Sequence, residues 1–430
     1  MSITKANANM SSVVFLSGVS QGDVLGGIGR SFSAQFKTLG YEFVEIQLTD
    51  KQDSIAILKN ALLKNRPEFV FSYVGIGLKL SIKNKNGHIE NLWEALGIPF
   101  LTIFGDSPIY FFDRHVMPST NFAGIYGFPD HLVLRKTFPK TEGLICTIPP
   151  VLVDAVKQEE VDFRKKREGN IIFLKNGNDP GRLTKTWRET LPPAILQPLQ
   201  DIASQLANNL NNATVGQINN AVTSYFMDKD IDIAHLAKLR LFLVGQLDDY
   251  IRRVKSTFIV RALLDFPIQI HGTNWEHVDF SSGRAILVNT CNFEKSRQLI
   301  AESLGSLDMS PNTSLAPHDR VMRALGHYTL CLTNEQEFFK KEVPKHKSMT
   351  FRFDKHSLQG KISDILSNAG RFVEIGLDIA ETFRRTHPPE AAVGRLMDIA
   401  ELVRMNQMLA LPSGYPEFFV WPPESLSSAI

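Results

Sequence analysis

Short apolar runs alternate with stretches of helical period along most of the chain. Residues 13–17 form the first run, and a glycine-rich stretch, 18–29, follows it. Residues 30–39 then place apolar side chains at helical spacing up to Gly40, and 41–47 is apolar again. This strand–loop–helix–strand order is that of a parallel sheet, whose strands need a crossover between them. The order repeats with a helix over 54–64, a strand over 69–74, a helix closing at Gly97 and a strand over 99–104. It continues more weakly through 123–126, 132–135 and 143–147. The pattern predicts one doubly wound domain over residues 1–150.

Pro149, Pro150 and the charged run 164–168 mark a linker. A fresh strand over 170–175 opens a second domain, expected over 151–387. Residues 184–264 are mainly helical, with period 3.6 in 195–206, 218–227 and 236–264. That is long for one crossover, so a helical insertion is expected there. Further strands are expected over 267–271, 285–289, 329–332 and, at an edge, 349–353, with helices over 296–304 and 356–368. The tail, 388–430, holds a helix over 391–408 in which Leu396, Ile399 and Val403 share one apolar face. An aromatic stretch with Tyr415, Phe418, Phe419 and Trp421 ends it. The expected fold class is α/β, with two Rossmann-like doubly wound domains. Open sheets of this kind bind ligands at the carboxyl ends of their strands, so the two are expected to present their loops to one cleft.

Composition changes this picture little. With 430 residues, 43% hydrophobic and 21% charged, the chain is ordinary globular protein. A formal net charge of +2 argues against a nucleic-acid binder driven by bulk charge. Cys146, Cys291 and Cys331 fit neither zinc spacing nor a disulfide framework, and are expected as reduced thiols. The first ten residues lack a basic leader region, and no apolar run approaches about 18 residues. The expectation is a cytoplasmic protein without a transmembrane segment, with peripheral membrane contact left open.

The candidate chemistry concentrates in 309–332, MSPNTSLAPHDRVMRALGHYTLCL. Turn formers lead into Pro317, which suits the first turn of a helix, and His318 and Arg320 are expected in that turn. Free N–H groups, the helix dipole and a guanidinium together suit a diphosphate. An ordinary capped helix with a solvated arginine fits the same pattern. The run Gly22–Gly29 has neither the dinucleotide spacing nor the P-loop lysine, so neither NAD nor ATP follows. Its glycines, Gly26 and Gly27 among them, allow close approach of a ligand at a helix N-terminus. Asp106 ends a strand, where a carboxylate can accept a proton from an attacking hydroxyl; an Asx-turn or cap is the other reading, and the favoured one for Asp23. His115, His131 and His277 lack partners at metal spacing and are expected to be structural or at the surface.

The stretch around His318 resembles the C-terminal domain of CgeB-like glycosyltransferases of the GT-B fold. Asn312, His318, Arg320, Val321, Ala324, Leu330, Leu332 and Thr333 match that family's pattern. Arg323 departs from it, standing where the family has a glutamate that often holds the nucleotide ribose. The F-G-D-S-P around Asp106 and the H-G-T-N-W of 271–275 are similar to further elements of the family. The resemblance implies a glycosyltransferase that takes a nucleotide-diphosphate sugar, with a glycan or protein as acceptor and no nucleic acid partner. It implies no cofactor and no metal, since cationic side chains and a helix terminus can offset the leaving charge. The donor contacts it implies are Gly26, Gly27, Lys175 (or Arg182), His271, Trp275, Asn312, His318 and Arg320. Trp275 would stack on the base, and a Trp in the core fits equally well; a solvated turn fits Lys175 at least as well. Asp106, as the base of an inverting reaction, and His318 would be catalytic. A nucleotide-sugar epimerase or hydrolase, or a non-catalytic sugar- or partner-binding module, are the alternatives.

Overall fold

A computed structural model describes residues 11–18, 24–49, 52–117, 119–139, 142–152, 155–409 and 417–418. The chain divides into two compact units. One takes the described residues up to Gly127, Pro139–Val151 and those from Pro388 on; the other takes Phe128–Phe138 and Leu152–His387.

The first unit is built on a sheet of strands β1 (Ser12–Gly18), β2 (Glu42–Leu48), β3 (Phe69–Tyr73), β6 (Phe100–Phe104), β7 (Phe122–Tyr126), β8 (Leu144–Thr147) and β15 (Glu417–Phe418). A separate hairpin pairs β4 (Ser81–Lys83) with β5 (Ile89–Asn91). The order across the sheet is β2-β1-β3-β6-β7-β8, all parallel, with β15 added beside β8. Its core strands are mostly apolar, as strands covered on both faces tend to be. Phe15, Phe36, Phe69 and Phe71 pack ring on ring there.

The helix after β1 spans Val24–Ser31, so the glycine run is partly helical where a loop was expected. The packing explains it. A Cβ on Gly29 would lie 2.0 Å from Phe15 Cζ, so glycine lets the helix sit directly on β1. Gly26 and Gly27 lie buried in this helix. Asp23 falls outside the described residues, as do Tyr415, Phe419 and Trp421.

The tail helix, Pro389–Leu409, returns to the first core. Leu396, Ile399 and Val403 are all at most 1% exposed, on the face their spacing predicts. Ile399→Val should therefore lower stability by about 0.5–1.5 kcal/mol, and an unchanged Tm would show this face to be loosely packed.

The second unit holds β9 (Ile171–Leu174), β10 (Ile268–His271), β11 (Ile286–Val288), β12 (Gly305–Leu307), β13 (Leu330–Asn334) and β14 (Thr350–Phe351). Their order is β11-β10-β9-β12-β13-β14, all parallel. In chain order this is 3-2-1-4-5-6, the doubly wound arrangement, with its reversal between β9 and β12. Helices Pro180–Thr190, Pro193–Ala207, Val215–Met227 and Ala237–Leu263 all lie between β9 and β10. Strand β12 is three residues long and has no alternating pattern, and sequence periodicity does not reveal it. No helix among the described residues is long and apolar enough to cross a membrane.

Candidate active site

Where strand order reverses, the loops leaving neighbouring strands part and leave room for a ligand. In the second unit that place lies beyond Leu174 of β9 and Leu307 of β12, and the next residues are Lys175 and Asp308. Asp308 is fully buried. Its Oδ1 accepts from Arg320 Nη1 at 2.7 Å and lies 3.0 Å from His318 Nδ1. The other ring nitrogen of His318, Nε2, lies 2.9 Å from Asp319, which in turn pairs with Arg323 at 2.9 Å. A chain of alternating charge thus runs Arg320–Asp308–His318–Asp319–Arg323.

The chain fixes protonation states. Burial would raise the Asp308 carboxyl, but the charge and hydrogen bond of His318, with Arg320, outweigh it and hold the group at about 2. Burial works to lower His318, and the two carboxylates flanking it win, so its pKa lies above the ordinary value. A carboxylate stands at each ring nitrogen of His318 and favours its charged form. The helix it precedes, Asp319–Gly326, has His318 as its N-cap residue and Arg320 in its first turn. The Phe128 ring lies parallel to the imidazole, 6.4 Å between centroids. Asp130, two residues on, accepts from the backbone N–H groups of Ser314 and Leu315 at 3.0 and 2.8 Å, fixing the loop that leads to His318.

Lys175 is half-buried, and among the described residues its amine has no hydrogen-bond or ion-pair partner. Burial, with Arg320 and Arg252 beside it, pushes its pKa down to about 7, against the pull of Asp308 and Asp249. Three cations therefore gather at the strand reversal, and one of them, Lys175, makes no hydrogen bond or ion pair among the described residues. Arg320 keeps Nε and Nη2 without partners among the described residues and is about a quarter exposed. An anion would complete this group.

The remaining expected contacts stand behind these loops. The Trp275 indole is 1% exposed, and its N–H donates to the Lys175 carbonyl at 2.9 Å. Gly177 and Gly272 let the two loops close on each other, since a Cβ would lie 2.4 Å from Trp275 on the first and 2.1 Å from the Lys175 carbonyl on the second. His271 is 8% exposed, 3.3 Å from Gln269, and burial lowers its pKa. Asn312 is fully buried with φ +57. Its amide donates to Asp248 at 2.9 Å and accepts from Lys255 at 2.8 Å. Trp275 and Asn312 thus have their polar atoms engaged in holding the loops together. Arg323 is likewise engaged, donating to Asp319 and Ser296 and stacking 4.5 Å over Phe293.

In the first unit, Asp106 follows β6, exposed to solvent. Its carboxylate makes no hydrogen bond among the described residues, so it is not serving as a cap. His115, by contrast, is structural: it is buried, stacked 3.9 Å from Phe104, with Nδ1 at 3.0 Å from the Tyr126 hydroxyl.

Sequence reasoning missed Asp308, Arg252, Asp248 and Lys255. The last three recur at helical spacing on one face of Ala237–Leu263, a signal that reads equally well as a solvated face.

No family model matches the chain, and no curated protein matches it. Among solved structures it is similar to an alpha-glucosyltransferase in complex with UDP-glucose and DNA containing an abasic site. The TM-score is 0.51 at 9% identity, covering 91% of this chain and 99% of that one. An alpha-glucosyltransferase in complex with UDP gives 0.50 at 9% identity, covering 91% and 100%. At that identity the likeness is one of fold, the two-domain Rossmann-like GT-B architecture.

Proposed function

We propose that the chain is a glycosyltransferase that takes a nucleoside-diphosphate sugar and moves the sugar to an acceptor hydroxyl. The observation that carries this reading is the Lys175 amine, which has no hydrogen-bond or ion-pair partner among the described residues, beside Arg320 and Arg252 at the strand reversal of the second sheet. Lys175 and the nitrogens of Arg320 without partners among the described residues bind the diphosphate, and Asp308 holds both Arg320 and His318. The narrower kinship, with CgeB-like enzymes, rests on the His318–Arg320–Val321 stretch.

The acceptor oxygen attacks the anomeric carbon while the bond from that carbon to the diphosphate oxygen breaks. The bonding pair leaves with the diphosphate, whose growing charge is met by Lys175 and Arg320. The acceptor proton passes to Asp106, the base we assign in the first unit. Cations of the protein offset the leaving charge, so no metal is invoked.

The test is a UDP titration followed by turnover of UDP-glucose. UDP at about 100 times its Kd should add about 2.7 kcal/mol of stability. Asp106→Asn should leave UDP affinity unchanged and lower kcat about a hundredfold. Absence of any UDP-dependent stabilisation sinks the donor reading, and an Asp106→Asn enzyme with normal turnover sinks the base.

A further inference from the structure

The loop after β6 carries a feature that the fold does not need. Phe111 has φ +54, a conformation that a bulky L residue rarely adopts, and its side chain is nevertheless 59% exposed. Strained backbone and an aromatic ring in water both work against stability. Arg114 braces the ring, with its guanidinium carbon 4.8 Å from the ring centroid. The same guanidinium donates from Nη1 to the carbonyl of Val74 at 3.3 Å. Val74 follows β3, the strand beside β6, and is itself at φ +48. One arginine thus ties together two strained residues in the loops that follow neighbouring strands. Strain of this kind persists only where the surroundings over-determine it, and it gathers at ligand sites. Asp106 opens the same loop. Ser107 beside it is buried, with a hydroxyl that has no partner among the described residues.

We propose that Phe111 is the stacking platform of the acceptor subsite, and that the acceptor is an uncharged carbohydrate laying a ring face on Phe111 and offering a hydroxyl to Asp106. This rests on the glycosyl-transfer reading above. The local charge separates a carbohydrate from a nucleic acid. A phosphate backbone is held by lysines and arginines that neutralise it. Here Arg114 is engaged by Val74 and Phe111, and Lys79 pairs with Asp113 at 2.9 Å. Asp106, exposed and without a hydrogen bond among the described residues, adds a negative charge of its own. A pyranose needs no cation. Its C–H face packs on an aromatic ring, and its hydroxyls donate to a carboxylate.

The experiment is saturation-transfer NMR on the full chain with methyl glucoside, methyl galactoside and methyl N-acetylglucosaminide. A labelled DNA duplex is followed by anisotropy, and UDP is titrated on the same samples. The wild type should transfer saturation to ring protons of at least one glycoside. Phe111→Gly should weaken that glycoside about tenfold or more, the usual range for one lost ring stack. Its Tm should not fall, because glycine adopts φ near +54° freely. Phe111→Tyr should keep the signal. No glycoside signal in the wild type, equal signals in wild type and Phe111→Gly, or duplex binding that depends on Phe111 would each overturn the proposal. Loss of Tm in Phe111→Gly with the glycoside signal intact would make Phe111 a structural residue and overturn it too. Failure of UDP to bind, with the glycoside result as expected, counts against the donor reading alone.

Discussion

Lys175→Met is expected to weaken UDP binding by about ten- to a hundredfold while leaving Tm unchanged or raised. The two halves come from one observation. Among the described residues the amine has no hydrogen-bond or ion-pair partner, so no bond in the fold is lost with it, and its removal relieves repulsion from Arg320 and Arg252 that outweighs the pull of Asp308 and Asp249. A charge-assisted hydrogen bond to a diphosphate contributes about 1.5–3 kcal/mol, which is the fold-change expected. Uridine, which lacks the diphosphate, should bind both proteins alike. The amine must be charged to act, and its pKa lies at about 7. UDP affinity of the wild type should therefore decline as pH rises above about 7, and Lys175→Met should lose that dependence. Equal weakening of uridine and UDP would remove Lys175 from the phosphate site. Arg320→Ala makes the contrast: it should weaken UDP comparably but also lower Tm, because it removes one of the two cations bonded to the buried Asp308.

The difference between these two cations marks what is legible in a sequence and what is not. Lys175 and Arg320 follow from local signals, a basic residue after a strand and an arginine in the first turn of a helix. That Arg320 is braced by Asp308 does not, because Asp308 ends a strand of three residues with no periodicity to announce it. The two parallel sheets are readable because strands buried on both faces leave mostly apolar runs. The buried tail helix is readable because its apolar face holds one period. Asn312 and Trp275 stand at strand ends and read as ligand contacts, yet Asn312 is claimed by Asp248 and Lys255, and the Trp275 indole by the carbonyl of Lys175. Those partners lie 57 to 100 residues away in the chain, and nothing local encodes them. The excursion of Phe128–Phe138 into the second unit, between two strands of the first sheet, is invisible for the same reason. Asp130 has no meaning as a residue until Ser314 and Leu315 are beside it.

The largest loss of stability is expected from Lys255→Met. Lys255 is 3% exposed, and its amine donates to the Ala213 carbonyl at 2.9 Å and to Asn312 Oδ1 at 2.8 Å. Methionine fills the same space but leaves both acceptors buried and unpaired, at about 1–3 kcal/mol each, for a loss of about 2–6 kcal/mol. Asn312 would lose one of the bonds that hold it at φ +57, and with it the loop leading to His318 would loosen, so UDP binding should weaken as well. The pH dependence identifies the cause. Burial pushes Lys255 down to about 7, against the pull of Asp248 and with the help of Arg252. The amine is released to about 10.4 on unfolding. Between about pH 7 and 10 the unfolded chain therefore holds a proton that the folded chain does not, and stability rises with pH across that window by up to about 1.4 kcal/mol per unit. Below about pH 7 both states hold it, and the contribution is flat. The comparison is between wild type and Lys255→Met in urea at pH 7 and pH 9. The wild type should gain more stability than the variant between the two. A variant as stable as wild type at pH 7, or one whose gain with pH equals the wild type's, would show that the Lys255 amine does not hold the Asn312 loop.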